Sequence, residues 1–205
     1  WDDLTPSANE ESWGAGYAGT PDTPANGSAI THNIFTYDYT VMDGVAIKAS
    51  YVPSHTTGAV EGSVDYGVKF SPSAIEGLDV YAAMGENNDA ANSADVSMMA
   101  VSYASGPLSV GYQVNETDFG TGSSDEDFTA VGVSYALTDD LSVSVNTSTI
   151  DYEASSKDDQ EAQAISFSHT SGGMTISGTY GKMDNVAGTP TADNAAYELN
   201  FKFAF

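Results

Sequence analysis

The chain contains no cysteine and no arginine. Without thiols the fold relies on no disulfide, and no thiolate metal site can form. Cations are scarce altogether: five lysines stand against 29 acidic residues in 205, a formal net charge of −24. Nothing in such a chain could neutralise a phosphate backbone, so nucleic acid is excluded as a partner. No apolar run approaches the roughly eighteen residues of a membrane helix, and the mean hydropathy is only −0.23. The histidines His32, His55 and His169 form no His-x-His or His-x-x-x-His pair. That spacing argues against a transition-metal site. Secretory signal features are also missing, since the chain opens on Trp1-Asp2-Asp3, as a mature form or a fragment would.

High charge with modest hydropathy would suit disorder, but aromatics make up 11% of the residues and the apolar pattern is persistent. The last ten residues, Ala196 to Phe205, place Tyr197, Leu199, Phe201, Phe203 and Phe205 at every second position. Glu198, Asn200 and Lys202 lie between them. Side chains alternate between the faces of a strand, so this segment has one greasy face and one wet face.

From about residue 32 onward the same plan recurs: an alternating run, a short turn, a second run, then a long polar loop. The spacing predicts strands over 33–41 and 45–52, with candidates Phe35, Tyr37, Tyr39, Val41, Val45, Ile47, Ala49 and Tyr51 on one face. Further pairs are predicted at 64–71 and 78–85, 97–104 and 108–115, 129–137 and 141–148, and 164–169 and 174–180. With the closing run this gives about eleven strands, each near the length that crosses a tilted bilayer path. The short turns carry Asp43-Gly44, Gly106-Pro107, Asp139-Asp140 and Gly172-Gly173, which is hairpin chemistry. The long loops fall at 55–62, 87–95, 120–127, 153–161 and 186–195 and are rich in Asp, Asn, Ser, Gly and Thr. Aromatics Tyr39, Phe70, Tyr103, Tyr135 and Phe205 finish the strands that head toward the short turns. Short turns on one side and long loops on the other, with an aromatic girdle, are the pattern of an antiparallel transmembrane β-barrel. A low average hydropathy is no objection, because only every second residue meets lipid.

The closing segment resembles the last strand of Gram-negative outer-membrane β-barrels. In those proteins a terminal Phe and alternating aromatics, here Phe201, Phe203 and Phe205, act as the insertion signal. Architecturally the whole chain resembles the general diffusion porins, in an alphaproteobacterial style; these have about sixteen strands around a water-filled channel. The resemblance implies an outer-membrane, usually trimeric channel for small hydrophilic solutes, embedded in the bilayer beside lipopolysaccharide, with no cofactor and no catalytic step. It also implies that about five strands precede this portion. Residues 1–31 would then be the loop that folds into the barrel and narrows it, and residues 32–205 the barrel strands with their turns and loops. The family's Pro-Glu-Phe-Gly-Gly motif is not present in this loop.

Asp2, Asp3, Glu10 and Glu11 are the constriction candidates. Carboxylates at a narrow point favour cations, although a merely solvated acidic loop has the same composition. Catalysis by a carboxylate pair is disfavoured, because no apolar pocket nearby would raise one member's pKa above the other's. Asp38, Lys48, Asp65, Lys69, Asp79, Glu198 and Lys202 fall on the wet face with Gln113, Asn115 and Asn146. They are expected to line the pore. Acidic loop residues Asp125, Asp127, Asp158 and Asp159 are candidate calcium ligands, since calcium takes carboxylate and carbonyl oxygens; no EF-hand spacing occurs. Gly14-Ala15-Gly16-Tyr17-Ala18-Gly19 matches a dinucleotide fingerprint but lacks the preceding strand that motif requires. Rival classes are a structural or adhesive barrel, a solute-specific channel, and a secreted acidic β-sandwich that would be soluble without detergent.

Overall fold

A computed structural model describes residues 35–54, 62–88, 93–120 and 124–204. The described residues form eleven strands in one antiparallel sheet, each strand beside its sequence neighbours. They are β1 (Phe35–Met42), β2 (Val45–Val52), β3 (Ser63–Phe70), β4 (Leu78–Asn87), β5 (Ala94–Ser105), β6 (Leu108–Asp118), β7 (Glu126–Thr138), β8 (Leu141–Tyr152), β9 (Gln160–Ser171), β10 (Met174–Asp184) and β11 (Asn194–Phe203). A 3-10 turn at Val186–Gly188 is the one other element among the described residues.

The strand count and the short turns agree with the sequence reading. The strand ends toward the long loops run further than expected: β9 starts at Gln160 and β7 at Glu126. Asp127 and Glu161 therefore sit in strands rather than in loops. Alternation had faded there, because Asp, Glu and Gln occupy positions on both faces, yet ladder hydrogen bonding continues.

Register decides which way each side chain points. Tyr66 is opposite Met84, Ala82 opposite Met99, Val101 opposite Tyr112, and Val133 opposite Val145. These residues share one face with Phe35, Tyr37, Ile165, Phe167 and Phe201, and most of that face is exposed, Tyr197 reaching 84%. An apolar surface this extensive has no place in water, and soluble monomers expose only small patches. Hydrocarbon covers such a face in an outer-membrane barrel.

Turn chemistry fixes the short-turn side. Gly44 adopts φ +76°, and a Cβ there would stand 2.3 Å from the Ser71 carbonyl oxygen. Only glycine permits that approach. It lets Ser71 N donate to Gly44 O at 2.7 Å, tying the first turn to the end of β3. Equivalent links run from Ala104 N to Gly77 O, Ala136 N to Pro107 O, Thr170 N to Asp140 O and Ala204 N to Gly173 O. Each short turn is thus stapled to the strand that follows it around the wall.

Candidate pore wall and external mouth

The face opposite the apolar one carries the wet residues anticipated from alternation. Asp38 is opposite Lys48, and Lys48 Nζ lies 2.7 Å from Asp38 Oδ1. Ser50 is opposite Asp65 and donates to it at 2.9 Å. Lys69 reaches Asp79 at 3.0 Å and lies over the Tyr81 ring, while Ser71 Oγ also donates to Asp79. On β11, Glu198 accepts from Asn200 Nδ2, and Lys202 is opposite Thr175. All seven predicted lining residues in the described segments share this inner face, with Gln113, Asn115 and Asn146. They are not gathered into one cluster. Cross-strand neighbours pair locally, as opposite charges on one sheet face do.

From β5 to β10 the inner wall is different. Glu126, at the loop end of β7, is its one ionisable acid or lysine among the described strand residues. Toward the short turns this wall carries hydroxyls, with Ser166 and Thr179 bonded at 3.0 Å and Thr170 and Thr175 at 2.9 Å. Toward the loops it is largely apolar and nearly inaccessible: Met98 and Ala100 form one buried cluster with Tyr81 and Ala83 at the loop end of β4, and Phe128, Ala130 and Ile150 form another. Met98 is only 1% exposed. Between them Gln113 donates to Asn115 at 3.0 Å, and the buried Asn115 Nδ2 and Thr117 Oγ1 find no partner among the described residues. Among the described residues, substantial contacts between elements run between neighbouring strands and from β9 to the 3-10 turn. No described strand overlies this band. Alternation does not announce it, because Val80-Tyr81-Ala82-Ala83-Met84 and Met98-Met99-Ala100-Val101 are apolar on both faces. Only hairpin register shows that Tyr81 and Met98 point inward.

The acids concentrate at the loop end. Glu86 is opposite Asp95, Asp95 opposite Asp118, Glu116 opposite Asp127, Asp127 opposite Asp151, and Glu161 opposite Asp184. These residues lie on the outer face above the apolar side chains, so they mark the upper edge of the hydrocarbon-facing band. Among the described residues no three carboxylates or imidazoles converge to hold a metal ion. Asp127 points outward from β7, while Asp125 accepts from Phe119 N at 3.0 Å. The Asp158 amide donates to Gly188 O, and the Asp159 carbonyl accepts from Asn185 Nδ2. The Asp159 carboxylate meets that of Asp151, which is opposite Asp127, so two of the four calcium candidates flank a further acid without making a set that could hold a metal among the described residues. Asp2, Asp3, Glu10, Glu11 and Phe205 lie outside the described residues, whereas Phe201 and Phe203 take their expected outward places on β11. Lys157 and Glu126, 3.5 Å apart at the mouth, escaped the sequence reading altogether.

A family model described as Gram-negative porin matches residues 2–205. No curated protein matches the sequence. Solved structures of similar fold include an anion-selective porin from Comamonas acidovorans, with TM-score 0.70 and 12% identity, covering 84% of this chain and 59% of that one. An engineered variant of the Rh. blastica porin aligns with TM-score 0.62 at 16% identity, over 88% of this chain and 71% of that one. The outer-membrane channel DcaP of Acinetobacter baumannii gives 0.63 at 15%, over 84% and 62%. Identities this low speak for the fold alone, and the family match speaks for descent. A two-faced antiparallel wall, apolar outside and polar at its inner turn end, with this match along nearly its whole length, belongs to the Gram-negative porin family and to the bacterial outer membrane.

Proposed function

We propose that the complete protein forms a water-filled channel for passive diffusion of small hydrophilic solutes and ions, assembled as a homotrimer with β11 at the subunit contact. The observation that carries this reading is the split between faces: one continuous apolar surface, and an opposite surface of charged pairs and hydroxyls. Among the described strands β1 and β11 each have one neighbour, and lipid tolerates no unpaired sheet edge, so a closed wall is part of this reading. Solutes would move by size and electrical field, without a bound cofactor or a covalent step.

Cation preference is part of the proposal, and its support is the distribution of charge. Asp125, Glu126, Asp127, Glu153, Asp158 and Asp159 crowd the loop end of β7–β9, with Lys157 the one lysine among them. Fold alone sets no sign, as the anion-selective Comamonas porin of similar fold illustrates. Residues 1–31 are read as a segment that narrows the channel, with Asp2, Asp3, Glu10 and Glu11 adding carboxylates there.

Planar-bilayer recordings of the full-length protein across a potassium chloride gradient test the proposal. A reversal potential of the sign for cation preference is expected; anion preference would remove the charge argument. Glu10→Gln with Glu11→Gln should move that potential toward zero, and an unmoved potential takes this segment out of the constriction.

A further inference from the structure

Two loops of the external side fold inward and lock together. In the loop before β11, Val186 packs on Ala162 and Met183, both inner-face residues of β9 and β10. The Ala187 amide donates to the inner-face Gln160 side chain at 2.8 Å. In the loop before β9, Lys157 Nζ sits 3.9 Å from the centroid of the Tyr152 ring and 3.5 Å from Glu126, again both inner-face groups. The loops then hold each other: Asp158 N donates to Gly188 O at 3.0 Å, and Asn185 Nδ2 to Asp159 O at 3.0 Å. Gly188, at φ +73°, lies so close to the Lys157 stem that a Cβ would come within 2.8 Å of it.

Backbone conformation shows that this arrangement is held rather than incidental. Asn185, Ala187 and Thr191 all have positive φ, at 54°, 55° and 63°. For alanine and a β-branched threonine that region is costly, and such residues persist only where their surroundings over-determine them. The surroundings are on hand: Asn185 Oδ1 accepts from Thr191 N, Asp193 Oδ1 accepts from Asn185 N, and Val186 N donates to Ala192 O at 2.7 Å.

We propose that these two loops form one inward-folded flap, positioned by Lys157 and Val186, that narrows the external entrance over β7–β10 and screens solutes by size. This inference rests on the channel reading above. Lys157 acts here as a positioning residue: its ammonium and stem fasten the β8–β9 loop to the wall, and Gly188 rests on that stem. A solute passing this side of the mouth would meet the flap before any narrower point inside.

The test uses the full-length protein in lipid, with Lys157→Gln and, separately, Val186→Ser. The flap's own opening is read from hydrogen exchange of the Asp158 amide, bonded to Gly188 O. Losing the ion pair and the ring contact should speed that exchange about fivefold. In liposome-swelling assays, uptake of a trisaccharide relative to a monosaccharide should rise about twofold, since a pore's lining and diameter set what passes. Unchanged exchange in both variants would overturn the flap, and faster exchange with an unchanged size ratio would overturn its screening role. Should the wild-type protein pass no solute, the channel reading falls with the screening, while the exchange result still decides whether the flap exists.

Discussion

The inner wall over β1–β4 and the inner wall over β5–β10 solve the same problem in opposite ways. The first carries charge, and each charge has a partner on the next strand or the one beside it: Asp38 with Lys48, Asp65 with Ser50, Lys69 with Asp79. The second dispenses with charge except for Glu126 at its rim, which Lys157 meets. Paired opposite charges a few ångströms apart cancel beyond about one Debye length, and uncharged residues contribute no net charge. Among the described residues of the first wall only Asp65, held by a neutral hydroxyl, is left without an opposite charge, so neither wall projects a strong field across the lumen. The excess of negative charge lies instead at the loop ends of the strands and in residues 1–34. Cation preference, if assigned by charge, is a property of the mouth and of that segment rather than of the strands.

The sharpest way to break the contrast is to put a charge where the second wall has none. Met98→Asp buries a carboxylate at a position 1% exposed, with no cation across the register, where Asn115 and Ala83 stand. An uncompensated buried charge costs about 3–5 kcal/mol. Asp38→Ala on the first wall removes one member of an exposed pair and should cost under about 1 kcal/mol. Thermal unfolding in detergent would show the difference. Equal losses would mean that the Met98 band is open to water in the working protein.

A second comparison sets two adjacent residues of β8 against each other. Val145 faces outward, opposite Val133 and Ile165; Ser144 faces inward, opposite Ser134 and Ser166. Val145→Lys should destabilise by about 2–4 kcal/mol, the cost of a lysine on the lipid face near the bilayer midplane. Ser144→Lys should leave stability within about 0.5 kcal/mol, as for a wetted surface site, and shift the reversal potential toward anions. If the two substitutions cost the same, the assignment of lipid and lumen to the two faces is wrong.

Which of these features the sequence disclosed follows from the physics of alternation. Where one face was apolar and the other polar, as in Val64-Asp65-Tyr66-Gly67-Val68-Lys69-Phe70, the strand, its orientation and its lining residues could all be read, and Asp65 and Lys69 lie where expected. Period two is silent where both faces are apolar, so the inward burial of Tyr81 and Met98 needed register from neighbouring hairpins. It is equally silent where both faces are polar, which hid the first residues of β7 and β9. The flap was out of reach for a different reason. Beside Asn185 and Gly188 its left-handed positions include Ala187 and Thr191, which no turn signature marks, and its hold depends on a contact between loop residues 26 apart in sequence. Composition had flagged the acids of these loops as calcium candidates, but composition carries no information about which carboxylates converge.

The finest test of the contrast concerns the charged wall alone. If Asp38 and Lys48 matter only as a pair, exchanging them should change almost nothing. Asp38→Lys alone sets two lysines opposite each other, and Lys48→Asp alone sets two aspartates opposite each other; each like-charge pair should destabilise by about 0.2–1 kcal/mol. The double exchange restores an opposite pair on β1 and β2 with the same net wall charge. Stability should return to within about 0.5 kcal/mol of the original, and the reversal potential should match it. A double exchange that restores stability but reverses or shifts ion preference would show that solutes sense the sign of one residue, Lys48, rather than the neutral sum. That outcome would move part of the selectivity from the mouth into the strand wall.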